Sequence, residues 1–258
     1  MSCLRLYRRG CTLAIGTAIV LIAAPATAQL RKAPPKPTRF TLSVSGGVQT
    51  APADVSDHFT LPKNVETQTI DVKHPMKPQA LVDVGAGVRV WKSLGLGVAV
   101  SRASGTGSAD VTASVPHPFF FNQPRTVTGT EKGIVHAETG VHMQLQYLVP
   151  ASGNLHFVLG AGPSWTTVEH EVITNLTVVE SYPYDTATFG GAVTKLSSAS
   201  AVGFNAGIDV TWMFARNAGL GGLIRYTRAD IDLDAGDGRS LAMKAGGAQA
   251  GVGIRLTF

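Results

Sequence analysis

The sequence has 258 residues, 44% of them apolar, and carries 22 Lys and Arg against 17 Asp and Glu. Arg5, Arg8 and Arg9 all lie in an N-terminal segment that reads as removable, which would leave 19 basic against 17 acidic residues, so the basic balance is no argument for a nucleic-acid partner. Both cysteines, Cys3 and Cys11, fall in the same segment, which excludes a disulfide or cysteine-metal site from the mature chain.

That segment, residues 1–28, has a charged start, an apolar run from Leu13 to Ala24 and a small-residue site at Ala26-Thr27-Ala28. These are the parts of a cleavable secretory signal, and the apolar run is short for a membrane-spanning helix. Residues 29–38 form a basic, Pro-rich lead, expected to be extended. From residue 39 to 258 the pattern is of one β domain with no internal linker.

The first predicted strand alternates Phe40, Leu42, Val44 and Val48 with Thr41, Ser43, Ser45 and Gln49. The second carries Val82, Val84, Val88 and Val90 on its apolar face, and the third Leu94, Leu96, Val98 and Val100. The fourth, from about Gly133 to Leu148, shows Val135, Val141, Met143, Leu145 and Tyr147 interleaved with His136, Glu138, His142, Gln144 and Gln146. Leu155, Phe157, Leu159 and Trp165 mark the fifth, and Val202, Phe204, Ile208, Trp212 and Phe214 the sixth. Leu220, Ile224 and Tyr226 mark the seventh, and Val252, Ile254, Leu256 and Phe258 the eighth.

Lys92-Ser93, Pro150 to Asn154 and Ala215 to Asn217 are short enough for hairpin turns. The remaining connections, near 50–79, 103–132, 168–197 and 229–244, are long. Strict alternation of short and long connections predicts an all-β, eight-stranded antiparallel up-and-down transmembrane barrel with short periplasmic turns, long external loops and both termini periplasmic. Phe40, Tyr147, Phe157, Trp212, Phe214 and Phe258 all fall at the short-turn end of the apolar face, as in an aromatic girdle at a lipid interface. Trp165 and Tyr226 are candidates for a sparser upper girdle. The opposite face is rich in glycine and polar groups, which suits the interior of a narrow barrel and would not fill a soluble apolar core.

The chain therefore resembles the family of small OmpA-type outer-membrane barrels, over about residues 39–258 and without a peptidoglycan-binding domain. Its most specific element is the ending Gly251-Val252-Gly253-Ile254-Arg255-Leu256-Thr257-Phe258. The resemblance implies a monomer in the bacterial outer membrane, in contact with its lipids and lipopolysaccharide, and Phe258 as the signal read by the barrel assembly machinery.

On the inward face, Asp83, Glu138 and Asp209 balance Arg89, Arg225 and Arg255. Counted from the short turns, Arg89, Arg255 and Asp209 form a low tier and Asp83, Glu138 and Arg225 a higher one, a pattern expected of ion pairs that close the lumen. His136 and Glu138 share a face, but His142 lies about 20 Å away at ~3.3 Å per residue, so these three do not predict a metal site. No cofactor is expected. The long connections hold Phe119-Phe120-Phe121, which need either loop packing or a surface ligand. Residues 172–179 and 181–185 look able to extend hairpin pairing into a crown above the membrane.

The function expected is structural or surface-interacting, carried by the loops. A narrow channel for ions or a small solute is the alternative. An enzyme is a more distant one, for which Asp54, Asp57, His58, Asp71 and His74 in the first connection are the candidates, since no nucleophile motif is present.

Overall fold

The computed structural model describes residues 39–51, 53–150 and 153–258, so the predicted signal and the Pro-rich lead lie outside the described residues. Ten strands account for nearly all of the rest: β1 (Phe40–Gln49), β2 (Val55–Lys63), β3 (Glu66–His74), β4 (Gln79–Trp91), β5 (Leu94–Val115), β6 (Arg125–Val149), β7 (Leu155–Glu180), β8 (Ala187–Met213), β9 (Ala218–Gly236) and β10 (Arg239–Thr257). Eight of them, β1 and β4 to β10, pair antiparallel in a ring, closed by β1 on β10 (Val44↔Ile254) and by β5 on β6 (Val100↔Val141).

Side-chain alternation decides which residues face out. On β1, Leu42, Val44 and Val48 are exposed while Ser45 and Gln49 are buried, and the same parity runs around the ring through Val84, Val98, Leu145, Ile208, Ile224 and Ile254. A continuous apolar exterior over a polar interior is the inverse of a water-soluble barrel, and it makes this belt a membrane-spanning surface.

The polarity reverses further up the long strands, with β8 as an exception that keeps Leu196 and Val193 exposed. On β9, outward Leu220, Ile224 and Tyr226 give way to exposed Asp230, Asp232 and Asp234, while inward Arg225 and Thr227 give way to buried Ala229, Ile231 and Leu233. The pairing stays in phase through this change, since β9 and β10 remain in register from Leu256↔Ala218 to Ser240↔Asp234. The surroundings change from lipid to water, so the exterior becomes polar and the interior dry. β6 makes the same transition through a bulge, with Gly133 at φ 83° beside a register shift at Gly107/Ser108.

The connections expected as long loops are therefore mostly strand. The first contains a hairpin, β2 and β3, turned at Asn64-Val65 with both residues at positive φ. Its second strand pairs with the upper part of β5 (Val72↔Val111), where β4 has already ended. Above the belt, β6 parts from β7 beyond His136↔His170, and β8 parts from β9 beyond Phe204↔Arg228. The crown thus consists of a four-stranded sheet, β2-β3-β5-β6, and two hairpins, β7-β8 and β9-β10.

Two apolar cores join these pieces. Phe59, Ile70, Val72, Val111, Val127 and Ile173 belong to the one between the sheet and β7-β8. Val55, Val168, Val172, Ile231, Leu233 and Leu241 belong to the other, which seats β9-β10. Between β2 and the β9-β10 hairpin a side chain completes the wall: Arg239 donates to Asp57 at 2.8 Å and lies 3.9 Å over the Phe59 ring.

Candidate functional site

The lumen is crossed by a continuous polar network. Arg225 is fully buried on β9 and forms an ion pair with Asp83 on β4, while its Nε donates to Gln249 Oε1 at 2.7 Å. From there Gln249 donates to Gln49 (2.7 Å), and Gln49 to Glu138 Oε2 (2.8 Å). The other carboxylate oxygen of Glu138 meets His136 Nε2 at 3.0 Å, and the Gly246 amide also donates to this carboxylate. His136 Nδ1 lies 3.2 Å from His170 Nδ1, and the His74 ring packs edge-on against His170 at 4.8 Å.

A second cluster ties the remaining wall. His142 bridges Ser101 Oγ and Ser164 Oγ, both at 2.8 Å. Pro163 has no N–H to give, and the β6-β7 pairing lapses between His142↔Ser164 and Leu145↔Ala161. Asn205 on β8 fills this gap, its Nδ2 lying within hydrogen-bond distance of the Gly162 and Pro163 carbonyls (3.0 Å) and of Ser164 Oγ (2.9 Å). Together the two clusters link all eight strands of the ring. A polar interior bonded from strand to strand in this way resists opening, because each group stripped of its partner would carry its full desolvation cost.

The expected tiers are partly rearranged. Arg255 and Asp209 meet low in the lumen, with Arg255 Nε 2.9 Å from Asp209 Oδ2 and Nη1 donating to Ser45 Oγ at 2.8 Å. Asp83 and Arg225 meet above them. Among the described residues Arg89 joins no ion pair, and its buried Nε has no hydrogen-bond partner. Glu138 meets no arginine; it sits one level higher, held by Gln49, His136 and a backbone amide. Strand parity could place these side chains inside. It could not match partners up to 210 residues apart, which depend on how far the strands are staggered. Gln49, Gln249, His170 and Asn205 lie on the polar face of their strands and carry no local mark of their partners, for the same reason.

His136 and His142 belong to different levels, and His136 instead meets His170, which packs in turn against His74. Among the described residues, no group of three or more His, Cys, Asp or Glu is arranged to hold a metal ion. The candidates in the first connection do not converge: Asp54 caps the Met76 amide, Asp57 pairs with Arg239, His74 is buried, and His58 meets Asp71 at 2.7 Å on the exposed face of the β2-β3 hairpin.

His74 and His170 stand above Trp165, in the crown. Burial lowers the pKa of both from 6.5; His170 falls to about 3, with His74 and His136 adding repulsion and the Val135 backbone acting the other way. For His74, Asp57 opposes the effect of burial and His136 adds to it. The unfolded chain then binds more protons than the folded one between about pH 3 and 6.5, so crown stability is fully present above pH 6.5 and is lost as the pH falls toward 3. Near-UV circular dichroism melts at pH 7.5 and 4.5 should show a lower midpoint at 4.5. In His170→Gln that difference should shrink; an unchanged difference would remove His170 as its source.

The girdle residues Phe40, Tyr147, Trp212, Phe214 and Phe258 are exposed on the belt near the short turns, Phe157 is half-buried beside them, and Trp91 joins them at the β4-β5 turn. At the opposite pole, Phe119, Phe120 and Phe121 are 68%, 55% and 67% exposed. Their loop is nonetheless tied down. His117 Nδ1 accepts from the Phe119 and Phe120 amides, and Asn122 N donates to Glu66 on β3. Buried Arg125 donates to the Pro116 and Tyr184 carbonyls, both at 2.8 Å, and pairs with Glu180. Phe119 packs edge-on to Tyr184 at 5.4 Å, beside exposed Tyr182.

No protein-family model matches the chain, and no curated protein matches it in sequence. In fold it is similar to small outer-membrane barrels. The outer membrane protein OprG from Pseudomonas aeruginosa is 11% identical, with a TM-score of 0.47 over 86% of this chain and 97% of that one. Neisserial surface protein A is 13% identical, with a TM-score of 0.43 over 85% and 97%. The outer membrane protease OmpT from Escherichia coli is 9% identical, with a TM-score of 0.47 over 86% and 97%. The lipid-facing assignment stands on the belt residues themselves.

Proposed function

We propose that the chain is an outer-membrane surface protein whose closed barrel anchors a β-crown, and that the crown tip makes apolar contact with a ligand outside the cell. The observation that carries this reading is the aromatic tip. Phe119, Phe120 and Phe121 are exposed on a loop fixed by Arg125, Asn122 and His117, so the apolar surface is presented with less backbone ordering left to be done on binding. The polar network through Arg225, Gln249, Gln49 and Glu138 supports an anchoring role for the lumen in place of a conducting one.

Protein in nanodiscs, floated with lipopolysaccharide-containing vesicles, is expected to associate through the tip. The triple variant Phe119→Ser, Phe120→Ser, Phe121→Ser should retain its heat-shifted gel band and lose association by about tenfold or more. Association unchanged in the variant, or absent from the parent, would count against the reading. A planar-bilayer recording provides the second arm: a silent trace agrees with a closed lumen, and reproducible single-channel steps altered by Arg225 or Glu138 substitutions would favour transport.

A further inference from the structure

Below the Arg225–Asp83 pair, toward the short turns, the lumen widens into a cavity of about 350 Å³. Its charge is unbalanced. Four guanidiniums line it, from Arg89, Arg216, Arg225 and Arg255, against the two carboxylates of Asp83 and Asp209. Both carboxylates are already committed, to Arg225 and Arg255. Arg89 faces the same cavity without an ion pair, and its Nε is buried without an acceptor. A guanidinium cannot escape this position by losing its proton, and an unpaired donor shut away from water is costly. Arg216 lies exposed in the β8-β9 turn on the cavity wall, where its charge draws anions inward.

The remainder of the wall is mixed, with Ala99, Leu148, Val158, Met213 and Leu223 beside polar side chains such as Gln144, Gln146, His156 and Thr211. Glycines keep it open: a Cβ at Gly85 would come within 2.7 Å of Ser43 Oγ, and one at Gly87 within 2.6 Å of Thr41 Oγ1. A recess that sets a cluster of apolar side chains beside convergent polar groups, near the lower end of the ~300–1000 Å³ range, has the character of a small-ligand pocket.

We propose that this cavity is a blind binding site for a short amphiphilic monocarboxylate, with the carboxylate on the Arg89 fork and the alkyl part against the apolar side chains of the wall. A planar fork takes a carboxylate through two parallel hydrogen bonds. Arg89 offers one half-buried guanidinium without a counter-ion to the carboxylate, and the apolar side chains of the wall have a counterpart in an alkyl body that inorganic phosphate lacks. The network above closes the far end, so the ligand enters and leaves from the short-turn side.

The test is calorimetric titration of hexanoate into the full chain in uncharged nanodiscs, with empty discs subtracted, and with hexan-1-ol and inorganic phosphate for comparison. Hexanoate is expected to bind, and Arg89→Gln to weaken it about tenfold or more while the heat-shifted band is retained. Ala99→Leu, which takes up cavity volume and leaves every charge in place, should weaken it as well and keeps the question answerable if Arg89→Gln does not fold. Absence of hexanoate binding would overturn the proposal. So would equal binding of hexan-1-ol, tighter binding of phosphate, or parental affinity in a folded variant.

Discussion

Arg225→Ala is expected to destabilise the barrel by about 3–5 kcal/mol, the cost of leaving a buried partner charge without its counter-ion. Arg225 and Asp83 have side chains 1% and 4% exposed, so Asp83 depends on the guanidinium far more than the partly solvated Asp209 depends on Arg255. Gln249 loses a donor in the same step, and with it the first link of the chain that runs to Glu138. Arg255→Ala should cost less, because Asp209 is 23% exposed and can be solvated from the cavity below. The check is a urea titration followed by the heat-shifted gel band. Arg225→Met combined with Asp83→Leu should recover most of the loss, since removing both charges removes the penalty. Equal stability of Arg225→Ala and the parent would show that the lumen network does not hold the barrel together.

Gly253→Val is expected to prevent closure at the β1-β10 seam. Gly253 faces inward opposite Ser45, and a Cβ there would overlap the Val44 carbonyl oxygen and lie 2.6 Å from Ser45 Cα. Both obstacles are backbone, so no rotamer change relieves them, and the cost should exceed the ~1–3 kcal/mol typical of an overpacked core. Gly222→Val serves as the control: nothing lies within 4 Å of a Cβ at that position. Its added side chain would also fall on the belt parity shared with Leu220 and Ile224. The heat-shifted band should disappear for Gly253→Val and persist for Gly222→Val. A normal band for Gly253→Val would mean that the seam can open far enough to admit a side chain.

The strand parity of the belt was legible because lipid imposes it residue by residue. Val44, Val98, Ile224 and Ile254 each had to be apolar whatever their neighbours were, and the short turns at Lys92-Ser93 and Ala215 to Asn217 set the hairpins. The crown strands were harder to read for an equally local reason. Above Tyr226 the outward positions of β9 become Asp230, Asp232 and Asp234, so the same alternation continues with its sign reversed and resembles a polar loop. The sequence contained the signal in Ala229, Ile231 and Leu233; its meaning depends on knowing where the membrane stops.

Which face of each membrane strand meets lipid, and which residues are therefore inside, followed from the sequence by itself. Who pairs with whom inside did not. Arg225 meets Asp83 across 142 residues and Gln249 meets Gln49 across 200, while Arg89 is left over and Glu138 goes to His136 and Gln49. Inward parity is a property of one strand, but a contact across the lumen depends on the stagger of all eight, which exists only once the ring has closed. The same holds at the tip, where Arg125 joins the carbonyls of Pro116 and Tyr184 from different loops and turns three exposed phenylalanines from a flexible run into a fixed surface.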